Sequence, residues 1–497
     1  MGKKPRVFLL SSNLSSQFPA MFPNALGALT AYLRREGYEV GTLHIEREKE
    51  VGQVAARLRA FAPDVVGFSV MSPEENMIEP LAAMAKAYNA KVPFLVGGVF
   101  AVLSPEETAR MQNVDMVCTG EGEEALLEYL QRIENGEDVH ETDNFAYINQ
   151  AGEFVRNKTR HFIRDLDSLP FFDRTVADFQ LAIDANRGTV NLVFGRGCPN
   201  HCKFCGNRHL RHSGGGSWAR MPSPMRAIRE IEELSSRYKF REIVIRDDTF
   251  SWNKVWASEF LDEYAKRFAF PIHIFSRADS LTEELVAKLK KAHCSCVFIG
   301  LDSGAEEIRN GVLEKNQSNE DLLRTAGWLK AAGITPVISN IVGLPYETAE
   351  HFKQTIEINR QIYNDKVVFV PSFGAVPKIW VFSPWRGSEL YHLCKKEGWL
   401  REYSNQGRVY RDANIDMPAF PAKDVIREFR HFRYNVYKDN FPFWAMLFLA
   451  FDSAPVQWMY ERVPMEMSGG FTDGLRKVLN FALGSKGAFV PDVQPPC

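Results

Sequence analysis

Residues 190–206 read VNLVFGRGCPNHCKFCG, and this stretch decides the fold. Its first part, VNLVF, is an apolar run closed by glycine, the pattern of a buried strand. Its second part places Cys198, Cys202 and Cys205 at C-x3-C-x2-C spacing directly after that strand. Three thiolates on one tight loop can hold three irons of a cubane cluster and leave the fourth iron without a protein ligand. A small molecule can chelate such an iron. Gly195, Gly197 and Gly206 let the loop bend around a bulky inorganic core. The competing readings are zinc and plain buried thiols. Zinc takes four ligands and favours C-x2-C pairs, so His201 or His209 would have to complete the set.

The strand before the cysteines opens a strand–helix alternation. EIVIRDD, IHIFSRAD, CVFIGLDSG, TPVISNIVG and VVFVPSFGA are the later candidate strands. Amphipathic helices separate them. Leu281, Leu285 and Leu289 recur every four residues, and Ala227, Ile231 and Leu234 share one face. Six such units predict a partial βα barrel over residues 189–400, with ligands at the carboxyl ends of its strands. Residues 1–135 alternate in the same way: RVFLLSS, EVGTLHI, DVVGFSV, PFLVGG and DMVCTG are short, continuous apolar runs. Such runs predict a doubly wound parallel sheet covered on both faces. Residues 136–188 are polar and turn-prone and read as a linker. Residues 401–497 lose the alternation and read as a helical, aromatic-rich region.

Composition sets the class. The chain has 497 residues, 45% hydrophobic and 25% charged, and its net charge of −2 gives no global basic field to attract nucleic acid. The apolar run near the N-terminus spans about five residues, which suits a strand better than a signal segment. The run Phe441–Phe451 is about half the length that spans a bilayer. The expected location is therefore cytoplasmic. Three of the eight cysteines fall within residues 198–205, which points to metal or redox chemistry in a reducing compartment. Cys118, Cys294 and Cys296 read as core residues.

The cysteine loop, with Phe204 before the third cysteine, resembles the radical SAM superfamily. Later segments match in order. RMPSPMRAIREIEEL resembles the first barrel helix, and IRDDTF places Asp247 and Asp248 where the family contacts the amino group of S-adenosylmethionine (SAM). SRADSL, with Ser276 and Arg277, resembles the strand that reaches the SAM carboxylate or ribose. GLDSG resembles a segment that usually carries glutamate where Asp302 stands. ISNIVGLPYET, with Gly343, resembles the segment beside the adenine, and FSPWRGSEL resembles a family turn with Arg386 in place of proline. The resemblance implies a [4Fe–4S] cluster on Cys198, Cys202 and Cys205 that reductively cleaves SAM to a deoxyadenosyl radical. It also implies a one-electron donor of the flavodoxin or ferredoxin type.

The first domain lacks G-x-G-x-x-G after its first strand, so a dinucleotide is not expected. Its segments FLVGGVFAVLSPEE and CTGEGEEAL resemble the cobalamin-binding domain fused to many radical SAM enzymes. The resemblance implies cobalamin contacts at Ser69, Gly97, Gly98, Gly120, Glu121 and Gly122. The domain lacks D-x-H-x-x-G, so cobalt is expected without a protein histidine below it; His44 is a conceivable contact and more often structural. No second three-cysteine set precedes Cys198, which argues against methylthiotransferases. The expected activity is cobalamin-dependent methylation of an unactivated carbon in a small molecule. The alternatives are a cobalamin-linked radical cyclase with a tetrapyrrole-like substrate and a zinc-stabilised binding protein. The aromatic tail, Phe441 to Tyr460, is expected as core, with an apolar lid or a peripheral membrane contact as the other reading.

Overall fold

The computed structural model describes residues 3–14, 21–364, 368–370, 374–401 and 411–439. The first sheet has the order β2-β1-β3-β4-β5-β6-β7. Its strands are β1 (Val7–Ser12), β2 (Val40–Ile45), β3 (Val65–Ser69), β4 (Phe94–Gly97), β5 (Met116–Cys118), β6 (Phe145–Ile148) and β7 (Phe154–Arg156). The first five run parallel. All six residues of β1 are buried, as its apolar run demands at the centre of a covered sheet. Helices Val54–Phe61 and Ile78–Tyr88 cover one face, and Asn24–Arg35 and Gly122–Asn135 cover the other.

The segment expected as a linker is structural. Strands β6 and β7 extend the first sheet antiparallel to β5. Further on, Leu166, Val176, Phe179 and Ile183 are buried. Phe179 sits edge-on to Phe22, with ring centroids 5.1 Å apart, and to Tyr238 at 4.9 Å. The buried Arg174 lies over Phe22 at 4.6 Å and Phe179 at 4.7 Å and donates to Glu230 at 2.7 Å. One apolar core therefore runs from the first sheet through this segment into the second sheet. Polar composition hid this, because few apolar residues carry the packing.

The second sheet has the order β15-β12-β11-β10-β9-β8, all parallel. It comprises β8 (Thr189–Leu192), β9 (Glu242–Ile245), β10 (Ile272–Ser276), β11 (Cys294–Asp302), β12 (Thr335–Val342) and β15 (Lys378–Val381). Each of β8 to β12 lies beside its predecessor in sequence, which is the order of an open βα barrel. The intervening helices start from side-chain caps at Ser223, Asn253, Thr282, Ser318 and Thr348. The sixth strand is not the expected VVFVPSFGA. That stretch yields the two-residue strands β13 (Phe369–Val370) and β14 (Gly374–Ala375), which pair antiparallel. The alternating KIWV completes the sheet instead, paired with β12. In the C-terminal region Ala422–Tyr437 is helical; the aromatic stretch from Phe441 onward lies outside the described residues.

The two domains dock at their strand carboxyl ends. Arg386, beyond β15, donates to Glu107 at 2.8 Å and lies 3.3 Å from Glu75, both in the first domain. Gly387 has φ +79°, and a Cβ on it would lie 2.8 Å from the Leu103 carbonyl carbon. Gly387→Ala is therefore expected to lower stability by about 1–3 kcal/mol, read as a reduced thermal midpoint. An unchanged midpoint would show that this approach carries no load.

Candidate active site

The cysteine loop is fixed from below by a carboxylate. The backbone N–H groups of Phe194 and Gly195 donate to Asp247 Oδ1 at 2.8 and 3.1 Å. Asp247 is buried, and burial pushes its pKa up to about 7 against those two hydrogen bonds. Its Oδ2 has no hydrogen-bond partner. The three sulfurs each meet a donor. Cys198 Sγ lies 3.2 Å from Asn200 Nδ2 and 3.5 Å from Thr249 Oγ1. Asn207 Nδ2 approaches Cys205 Sγ at 3.6 Å, and Arg277 Nη1 approaches Cys202 Sγ at 3.7 Å. Burial pushes the Cys205 thiol up to about 12. It also raises Cys202, against the cations Lys315 and Arg277.

This donor set fits an iron–sulfur cubane: soft thiolates on one loop, each with a donor aimed at sulfur. The histidines that zinc would need are engaged elsewhere. His209 Nε2 accepts from the Glu389 N–H at 3.2 Å, and His201 contacts Arg211. Among the described residues no three His, Cys, Asp or Glu side chains form a single-ion site.

The SAM candidates divide into two groups. The Asp248 side chain reaches solvent at the barrel mouth, but crowding by the surrounding protein partly strips its hydration and raises its pKa, and a hydrogen bond from Asn207 opposes the rise. Arg277 is locked by Asp279 at 2.6 and 2.9 Å and by the Lys315 carbonyl at 2.8 Å, with its remaining arm toward Cys202. Phe204 packs against the core. These three belong to the cysteine surroundings. Asp247, Ser276 and Asp302 are turned to internal partners. Ser276 bonds Ser251 and Ser280. Asp302 forms a buried ion pair with Lys315 at 2.5 Å. The Gly343 N–H donates to the buried Glu347 at 2.7 Å. Burial pushes Glu347 up to about 8.

In the first domain, Ser69, Gly97 and Gly98 lie at the carboxyl ends of β3 and β4. A Cβ on Gly98 would meet the Val70 backbone at 2.6 Å, so that glycine serves strand packing. At the β1–β2 edge, Ser11 Oγ lies 2.7 Å from His44 Nδ1, and His44 Nε2 lies 3.8 Å from Glu46 Oε1. The strand order turns back between β1 and β3, the switch point where open sheets bind ligands. The hydroxyls of Ser11 and Ser69 at the carboxyl ends of β1 and β3 border that point and suit a polar ligand lying over it.

Gly120 and Gly122 flank Glu121, which points to the barrel. Glu121 accepts from Arg196 at 2.8 Å, from Arg220 at 2.7 and 3.1 Å, and from the Ile163 N–H at 2.8 Å. Arg196 also pairs with Glu123. Arg196 stands two residues before Cys198, so the cluster of charges ties the first domain to the cysteine loop. Trp218, beside Arg220, donates to Asn207 at 2.9 Å, and Asn207 reaches Cys205. None of Glu123, Arg196, Arg220, Thr249 or Asn207 stood out in the sequence; charges embedded in two glycine-rich motifs were the available signal.

Burial alone would raise the pKa of Glu121, but Arg220 and Arg196 hold it below the ordinary carboxylate value. A depressed carboxylate contributes its full stability above the unfolded pKa of about 4.5 and loses it as pH falls through the folded value. Glu121→Gln is expected to cost about 3 kcal/mol near neutral pH. The gap to wild type should close as pH falls below the carboxylate range in unfolding titrations. A gap independent of pH would contradict the ion cluster.

Two family models match the chain. The Radical SAM superfamily model matches residues 192–358, and the B12 binding domain model matches residues 19–130. An uncharacterized methyltransferase of Pyrococcus horikoshii is 26% identical over 74% of this chain and 77% of its own. Cytidylyl-2-hydroxyethylphosphonate methyltransferase of Streptomyces wedmorensis is 21% identical over 82% and 84%. Anaerobic magnesium-protoporphyrin IX monomethyl ester cyclase of Rubrivivax gelatinosus is 24% identical over 74% and 65%. Among solved structures, the radical SAM methyltransferase TsrM of Kitasatospora setae, with tryptophan and a SAM analog bound, has a TM-score of 0.62 at 18% identity, covering 80% of this chain and 77% of its own. The cobalamin-dependent radical enzyme OxsB, with aqua-cobalamin and SAM bound, has a TM-score of 0.68 at 15% identity, covering 96% and 72%. At these identities the structural likeness establishes the shared fold. Cys198, Cys202 and Cys205 fall inside the first matched segment, and Ser69 to Gly122 inside the second, so the chain carries a radical SAM domain and a B12-binding domain.

Proposed function

We propose that this enzyme transfers a methyl group to an unactivated carbon of a small molecule, using SAM, a [4Fe–4S] cluster and cobalamin. One observation carries the reading: the carboxyl edges of the two sheets face each other and are bolted together beside the cysteines by Glu121, Arg196 and Arg220. A ligand over the first edge then borders a radical generated at the second. Two of the relatives above are named methyltransferases, which favours methyl transfer over ring closure.

When bound, the cluster supplies the electron that splits SAM and cobalamin supplies the methyl group. The chain's own residues bind, orient and shield. Cys198, Cys202 and Cys205 hold the cluster, and the donors on Asn200, Asn207 and Arg277 stabilise negative charge on their sulfurs. Asp248 offers an acceptor for the SAM ammonium at the barrel mouth. The carboxyl edge at Ser69 and Gly97 offers the cobalamin surface. A flavodoxin- or ferredoxin-type protein serves as external reductant. Among the described residues no helix is long and apolar enough to cross a membrane, and we place the enzyme in the cytoplasm.

The test is anaerobic turnover with SAM labelled in its methyl group, a chemical reductant and a deproteinised cell extract as substrate source. The expected result is deoxyadenosine together with a labelled small molecule, formed only by protein loaded with cobalamin. Labelled product from cobalamin-free protein would contradict the proposal. A product lacking the added methyl mass of about 14 Da would favour the cyclase reading.

A further inference from the structure

One layer inside Asp248 and Arg277, the barrel's inner face carries a cation without a counterion. Strand residues alternate between faces. Leu192, Ile245, Ile274, Ile299 and Ile338 are at most 1% exposed and face the helices. Asn191, Arg246, Phe275 and Ser339 have the opposite parity and are half-buried, as residues lining an open lumen would be. Phe275 pairs with Phe298 across β10 and β11, and their rings stack 4.5 Å apart at 12°. The Arg246 guanidinium lies 5.2 Å from the Phe275 ring centroid and donates through Nε to Asn191 Oδ1 at 2.8 Å.

That is the whole of its partnership among the described residues. Nη1 and Nη2 of Arg246 and Nδ2 of Asn191 make no hydrogen bond there. The contrast with the rest of the molecule is sharp. The four buried arginines, Arg174, Arg220, Arg277 and Arg309, each pair with a carboxylate: Glu230, Glu121, Asp279 and Glu306. Arg246 has none. Burial alone lowers its pKa, to about 10, with no acidic group opposing, so it stays charged at neutral pH. A poorly hydrated, unpaired charge is costly, and a guanidinium with two free N–H arms is a fork for an oxyanion.

Resting on the methyltransferase reading, we propose that Arg246 and Asn191 bind a carboxylate or phosphoryl group of the substrate inside the barrel, with Phe275 flanking its carbon skeleton. The substrate class is thus a small organic acid or phosphoryl compound. Arg246 and Asn191 set its depth, so that the reacting carbon is presented toward the mouth where Asp248 and Arg277 stand.

The test uses holoprotein purified anaerobically with cobalamin, titrated calorimetrically with benzoate, phenylphosphonate and neutral benzamide. At least one of the two anions should bind wild type at least tenfold more tightly than benzamide. Arg246→Gln should abolish that preference and Arg246→Lys should retain part of it. Whichever anion binds tighter identifies the carboxylate or the phosphoryl class. Wild type that holds iron and cobalt and cleaves SAM, yet binds both anions no better than benzamide, overturns the anion site and leaves methyl transfer standing. Anion preference that survives Arg246→Gln also overturns it, as does a loss of SAM affinity in that variant with anion binding unchanged. Protein without iron or SAM cleavage takes both readings down.

Discussion

The arrangement depends on one ion cluster. Glu121 leaves the carboxyl end of the first sheet and is gripped by Arg196 and Arg220 of the barrel. Arg196 belongs to the turn that leads into the cysteines. The same contact therefore fixes the orientation of the first domain and steadies the cysteine loop. A second contact, Arg386 with Glu107 and Glu75, pins the opposite side of the barrel. Burying several charges is costly unless each is paired and hydrogen-bonded. Here Glu121 accepts from two guanidinium groups and a backbone N–H, which meets that condition.

Within the barrel, the two faces of each strand do different work. The outward residues are fully buried against helices and give the sheet its stability. The inward residues grade from the mouth downward. Asp248 and Arg277 stand near the cysteines, Arg246 and Phe275 lie one layer in, and Glu242, His273 and Cys296 close the base. In that lowest layer His273 Nδ1 lies 2.8 Å from Cys296 Sγ and Nε2 lies 2.9 Å from Glu242. Cys296 is 1% exposed, and burial keeps its thiol protonated. The polar base is satisfied, whereas the middle layer has unused donors.

The legible parts of the sequence were those encoded over short range. The cysteine loop spans eight residues, and its spacing with a preceding strand was sufficient. Both parallel sheets followed from apolar runs separated by amphipathic helices. The sixth barrel strand was misplaced because the run VVFVPSFGA is longer and more apolar than the short alternating KIWV. The segment 136–188 failed because its packing rests on a few residues such as Phe179 and Val176, meeting partners far away in sequence. Site residues show the same division. Glu121 was singled out as a cofactor contact, but its partners lie 75 and 99 residues on, beyond any pattern in the chain. Asp302 matched a motif, yet Lys315, thirteen residues later, engages it. Arg246 sat beside the aspartate pair and was passed over, because only the fold shows that it lacks a counterion.

The most direct test of the account is elemental analysis of protein produced with cobalamin and purified without oxygen, with an optical spectrum of the same sample. About four irons and about one cobalt per chain are expected, with zinc absent. Zinc without iron would contradict it at the cysteine loop, and iron without cobalt would remove the cobalamin role from the first domain.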